Sequence, residues 1–116
     1  MDSLDDLNTR LIRFAQERDW EQFHSPKNLA MAMIVEAAEL VEHFQWMSEE
    51  QSREIPAEKR EQVAQEISDT FIYLLRMADV LGIDLISAAH AKMDLNAKKY
   101  PADKVRGSNA KYTEYQ

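Results

Sequence analysis

From Leu29 to Val41 the sequence reads LAMAMIVEAAELV, a run in which only Glu36 and Glu39 are charged or polar. A helix that is apolar on every side is buried on every face. An unpaired ionised carboxylate in such surroundings takes up a proton or is matched by a cation or a metal. Any fold for this chain must therefore cover the helix and give its two glutamates a partner.

The rest of the chain is punctuated like a helical protein. Leu4, Leu7, Leu11, Ile12 and Phe14 recur at helical spacing behind Ser3, a good N-cap, predicting a first helix to about Arg18. DWEQFHSPKN breaks the pattern, and Ser25-Pro26 predicts the start of a second helix to about Met47, because a first-turn Pro sacrifices no intrahelical hydrogen bond. SEEQSREIPAEKRE reads as a polar connection. After it, Val63, Ile67, Phe71, Leu74, Ala78 and Leu81 form the apolar stripe of a third helix closed by Gly82. A fourth helix is expected from Asp84 to about Lys99, stopped by Tyr100-Pro101.

No strand-like alternation, repeat or low-complexity block interrupts this series. The expected fold class is therefore all-α, a four-helix bundle subunit. One domain over residues 1–100, followed by a partly ordered C-terminal arm over 101–116, is the expected organisation. In a chain of 116 residues the second helix is most easily covered on all sides if another subunit packs on one of them, so a homo-oligomer, a dimer or tetramer, is expected.

Composition narrows the classes. There is no cysteine, which excludes thiolate chemistry and a disulfide framework and suits the cytoplasm. The acidic start MDSLDDLNTR has no signal-peptide character, and no run approaches the length of a membrane span, so a soluble protein without membrane partners is expected. The net charge of −7 argues against general nucleic-acid binding, which needs a basic footprint.

Residues three apart on a helix project side by side, so Glu36 and Glu39 form a pair. QEISDTFIYLL on the third helix repeats the spacing with Glu66 and Asp69. If the two helices pack antiparallel, four carboxylates converge, with no Lys or Arg within either motif. Their repulsion requires divalent cations. All-oxygen ligation selects Mg2+, with Mn2+ able to substitute.

Glu-x-x-Glu followed by Glu-x-x-Asp on the next helix resembles the signature of the all-α nucleotide pyrophosphohydrolases, the MazG-like superfamily. RDWEQFHSPKNLA, ELVEHFQW, EISDTFIYLLRMAD, KMDLNAKKYP and SNAKYTEY are similar to the dCTP pyrophosphatase branch. The resemblance implies Mg2+-dependent hydrolysis of a nucleoside triphosphate, dCTP or a modified dCTP, to monophosphate and pyrophosphate, and a role in nucleotide-pool sanitation. It implies that Glu36, Glu39, Glu66 and Asp69 bind the metal. It places Trp20, His24, Trp46 and Tyr73 around the base and sugar, and Lys92, Asn96 and Lys99 near the phosphates. Glu36 or Glu39 is the expected catalytic base, since a carboxylate not fully engaged by metal can accept a proton from water.

Plainer roles exist for some of these residues. A Trp in a small bundle is more often core or interface than base platform, and Lys98-Lys99 also suit a helix C-terminus. Among rival readings, a di-iron bundle requires Glu-x-x-His motifs, but Leu40 and Ser87 stand three before His43 and His90. Pyrophosphohydrolysis of another nucleotide such as dUTP, or a non-catalytic oligomerisation module, are the remaining alternatives.

Overall fold

The computed structural model describes residues 3–107, and every regular element among them is a helix. Helix α1, Leu4–Glu17, begins where the Ser3 side chain accepts the Asp6 N–H at 3.1 Å. Asp5 and Asp6 occupy its first turn, where the helix dipole favours negative charge. The chain then turns through Asp19, whose φ of 54° lies in the left-handed region that Asp tolerates better than most side chains. The Gln22 amide secures this turn by donating to both the backbone carbonyl and the carboxylate of Asp19, each at 3.0 Å.

A short 3-10 turn, Glu21–Phe23, leads to α2, Pro26–Glu42. The Ser25 side chain accepts the Asn28 N–H, and Pro26 occupies the first turn, as the sequence predicts. The end of α2 corrects the expectation of a helix to about Met47. Over residues 43–47 the chain tightens into turns, with Phe44 N–H donating to Val41 and Met47 N–H to Phe44, both at 2.9 Å. The polar connection is also more ordered than expected. It contains α3, Glu49–Arg53, started by a capping box in which Ser48 and Gln51 exchange side-chain and backbone hydrogen bonds.

Helix α4, Ala57–Val80, follows Pro56. It stops at Leu81 and Gly82, where Gly82 has a φ of 68° and its N–H donates to the Asp79 carbonyl at 3.0 Å. A residue without Cβ is suited to that left-handed cap.

The chain divides into two units, Met1–Gly82 and Ile83–Gln116. In the first, α2 and α1 both pack on α4. The core comprises Ala15 from α1, Leu29 from α2, and Val63, Leu75 and Ala78 from α4. Of the predicted α4 stripe, Val63 and Ala78 are buried, whereas Ile67, Phe71, Leu74 and Leu81 remain exposed and Leu75 is buried instead. Apolar residues cover more of this helix than one chain can use. The same holds on α2, where Met31, Ile34, Val35 and Val41 are exposed and only Leu29 is fully enclosed. Fully burying such a side chain is worth roughly 1.5–3 kcal/mol, of which these partly covered residues gain only a share within one chain.

The second unit contains α5, Leu85–Lys99, and a short α6, Ala102–Val105. Asp84 caps α5 by accepting the Ser87 N–H, and Lys98 and Lys99 lie in its last turn. The expected arm therefore begins with a helical turn, while residues 108–116, including most of RGSNAKYTEY, lie outside the described residues. No described helix is long and apolar enough to cross a membrane.

Candidate active site

The pairing of α2 with α4 brings Glu36, Glu39 and Glu66 together. Each offers a carboxylate oxygen, and the three oxygens lie within 4.8 Å of one another. All three side chains are half-buried, and Glu66 Oε2 is buried with no hydrogen-bond partner. Among the described residues, no Lys or Arg forms an ion pair with any of them. Burial, hydrogen bonding with Glu39, and the charges of Glu39, Asp69 and Glu66 push the Glu36 carboxyl up to about 7. Glu66 is raised as well, first by burial and then by the charge of Glu39.

A cluster of this kind is costly without a cation. Carboxylates at this separation, one of which also carries a buried oxygen without a donor, fit a hard divalent ion, which takes oxygen ligands and leaves positions for water and phosphate. Asp69 stands outside the tightest group and is exposed, but its charge acts on both Glu36 and Glu66. Nearby hydroxyls are already engaged, since Thr70 donates to the Glu66 carbonyl at 2.9 Å and Ser68 to that of Ala64 at 2.7 Å.

Glu36 and Asp69 also line a pocket of about 490 Å³. Trp20, His24 and Tyr73 share that lining with Phe14 and Ile72. Trp20 meets Phe14 edge to face, with ring centroids 5.8 Å apart, and the Arg18 guanidinium lies 3.6 Å from the Phe14 centroid. The Trp20 N–H of the backbone donates to the Ala15 carbonyl at 2.9 Å, which ties the ring's position to the end of α1. The result is an aromatic pocket with carboxylates on its wall, suited to a flat ring attached to a charged group.

Arg76 adds a buried cation to the lining. Its Nε–H donates to His24 Nδ1 at 3.1 Å, and one terminal nitrogen donates to Asp79 at 2.8 Å. Glu21 lies 3.9 Å from the other. Asp79 in turn accepts from the Asn8 side chain at 3.2 Å. Burial and the Arg76 charge lower the His24 pKa, opposed by Glu21.

Residues 31–115 match the MazG-like family. Mouse (Mus musculus) dCTP pyrophosphatase 1 is 42% identical over 114 residues, covering 97% of this chain and 67% of the relative. The human (Homo sapiens) protein of that name is 43% identical over the same shares. The chain belongs to the MazG-like family. A solved pyrophosphatase structure from Archaeoglobus fulgidus superposes on this MazG-like chain with a TM-score of 0.82 at 39% identity, covering 87% of this chain and 94% of that one.

Within this MazG-like chain the remaining predicted site residues are not part of that pocket lining. Trp46 sits in the turns after α2 and is 89% exposed. Lys92, Asn96 and Lys99 lie on α5, in the second unit; Asn96 is half-buried, and its carbonyl accepts the Tyr100 N–H at 2.8 Å. Arg76, Arg10 and Phe14 are pocket residues that the sequence reading did not single out. A signal for Arg76 was present. Asp69, Tyr73 and Arg76 follow the i, i+4, i+7 spacing of one helix face.

Proposed function

We propose that this MazG-like nucleotide pyrophosphohydrolase cleaves dCTP, or a base-modified dCTP, into the nucleoside monophosphate and pyrophosphate with the help of Mg2+. The observation that carries the reading is the meeting of Glu36, Glu39 and Glu66 beside an aromatic pocket whose wall includes Glu36 and Asp69. The relatives named dCTP pyrophosphatase 1 support the choice of base.

Glu36, Glu39, Glu66 and Asp69 would hold the metal, which when bound neutralises phosphate oxygens and acidifies water. Trp20 and Tyr73 flank the base, and His24 offers it a polar contact. Glu36 or Glu39 takes the proton as water attacks phosphorus, while the bond between the monophosphate and the departing pyrophosphate breaks. Lys92, Asn96 and Lys99 are assigned to the phosphates, and Trp46 to the base and sugar. The catalytic domain in this reading spans residues 1–100, with 101–116 as an arm. The protein works as a cytoplasmic homo-oligomer that keeps unwanted triphosphates from polymerases, with no membrane or nucleic-acid partner.

Pyrophosphate release from dCTP, 5-methyl-dCTP, dUTP, dTTP and ribonucleotides, in Mg2+ and in EDTA, tests this proposal. Release from dCTP or its methylated form, dependent on Mg2+ and abolished in Glu39→Gln, is expected. Preferential release from dUTP would correct the substrate. No release from any triphosphate by well-folded protein would favour a non-catalytic oligomerisation module.

A further inference from the structure

We infer that Arg76 is a positioning residue for the pocket: its buried guanidinium fixes His24 in the tautomer protonated on Nε2, so that the pocket offers a hydrogen-bond donor to an acceptor atom of the pyrimidine ring. This rests on the pyrophosphohydrolase reading above.

The chemistry of the contact determines the tautomer. Arginine has N–H donors and no acceptor, so the 3.1 Å bond from Arg76 Nε requires a lone pair on His24 Nδ1. A neutral imidazole with Nδ1 as acceptor carries its single proton on Nε2. Protonating Nδ1 would break the bond and set two cations against each other. The lowered pKa of His24, from burial and from Arg76 with Glu21 opposing, is in keeping with a neutral ring. With Nδ1 engaged, Nε2 is the ring atom left to serve the pocket that His24 lines.

The guanidinium is itself held from several sides. Arg76 is 7% exposed and pairs with Asp79 at 2.8 Å, while Asn8 on α1 donates to the other Asp79 oxygen. Glu21, in the 3-10 turn that leads to His24, lies 3.9 Å from the remaining terminal nitrogen. Groups from α1, the 3-10 turn and α4 thus surround one cation. A flexible lysine ammonium could supply the charge but not the same fixed fork of donors. The polar partners of Arg76 are His24, Asp79 and Glu21, and none of these bonds involves Glu36, Glu39 or Glu66, although Arg76 shares the pocket lining with Glu36. Arg76 is therefore placed to orient a base-reading group rather than to balance the proposed metal ligands.

The test is long-range 1H–15N NMR of the histidine rings, combined with dCTP kinetics in Mg2+, for wild type and Arg76→Met. The wild type should show His24 protonated on Nε2. Arg76→Met should mix the tautomers and raise KM about tenfold, the size of one neutral hydrogen bond, with kcat nearly unchanged. If the single variant does not fold, Arg76→Met/Asp79→Leu removes both members of this part-buried pair, so that neither charge is left without its partner. A wild-type ring protonated on Nδ1, a tautomer indifferent to Arg76, or a mixed tautomer with unchanged KM would each overturn the inference. Failure of the function reading shows separately, as a folded wild type that turns over no triphosphate, and would remove the ligand role assigned here.

Discussion

Glu36 on α2 and Glu66 on α4 bring carboxylate oxygens within 4.8 Å of each other, and Glu39 completes the group. Two helices meet here through like charges. The packing of α2 on α4 therefore works against electrostatic repulsion unless a cation or protons intervene.

Glu66→Gln removes one of those charges and one proposed ligand. Turnover in Mg2+ is expected to fall at least about 100-fold, by comparison with the losses seen when even the outer partners of metal ligands are altered. In EDTA the same variant should melt at a higher temperature than wild type, because repulsion is relieved. Thermal melts with and without Mg2+ check both halves; a variant less stable than wild type in EDTA would contradict the repulsion argument.

The metal-free protein should also show a pH signature. The Glu36 carboxyl is raised from 4.5 to about 7, so folding favours its protonated form. That contribution is fully present below about 4.5 and is lost as pH rises through about 7. In EDTA, wild type should lose stability relative to Glu36→Gln across this window, and Mg2+ should reduce the loss by favouring the ionised carboxylate. Parallel melting curves for the two proteins from pH 4.5 to 7 would contradict the assignment.

Trp20 faces a pocket rather than a sealed core, being 45% exposed. Replacing it with Ala should weaken dCTP binding by about 1–3 kcal/mol, or roughly 5- to 150-fold in KM, with less effect on kcat. Steady-state kinetics decide this. An unchanged KM would remove Trp20 from the base site.

The exposed apolar residues of α2 predict association. Light scattering should give a dimer or tetramer, and Ile34→Lys, at a residue 60% exposed in the single chain, should lower the mass. A monomeric wild type at micromolar concentration would remove the oligomer from the proposal.

Local chemistry explains which features could be read from sequence. Ser3, Ser25-Pro26 and Gly82 mark helix ends through the residues immediately beside them, and the structure places helix ends there. The end of α2 was less legible because apolar residues continue through Phe44 and Trp46 after the regular helix stops. The capping box at Ser48 and Gln51 was present in the sequence but masked by its polar surroundings. In the site, Glu36 and Glu39 were legible because carboxylates are conspicuous in an apolar stretch, and Glu66 because it repeats their spacing with Asp69 on the next long helix. The bond between Arg76 and His24 joins residues 52 positions apart, so helical spacing could suggest the face but not the partner.

The two tryptophans make the molecule its own optical probe. Trp20 packs against Phe14 at the pocket, whereas Trp46 is 89% exposed in the turns after α2. Their indole emission should therefore separate into two environments in the unliganded chain, with Trp20 reporting on the pocket and Trp46 on the exposed turns after α2, and both should respond if each meets the base as assigned above. A Trp46→Phe protein would isolate the Trp20 signal, allowing ligand entry to be followed by fluorescence before any phosphoanhydride bond is broken.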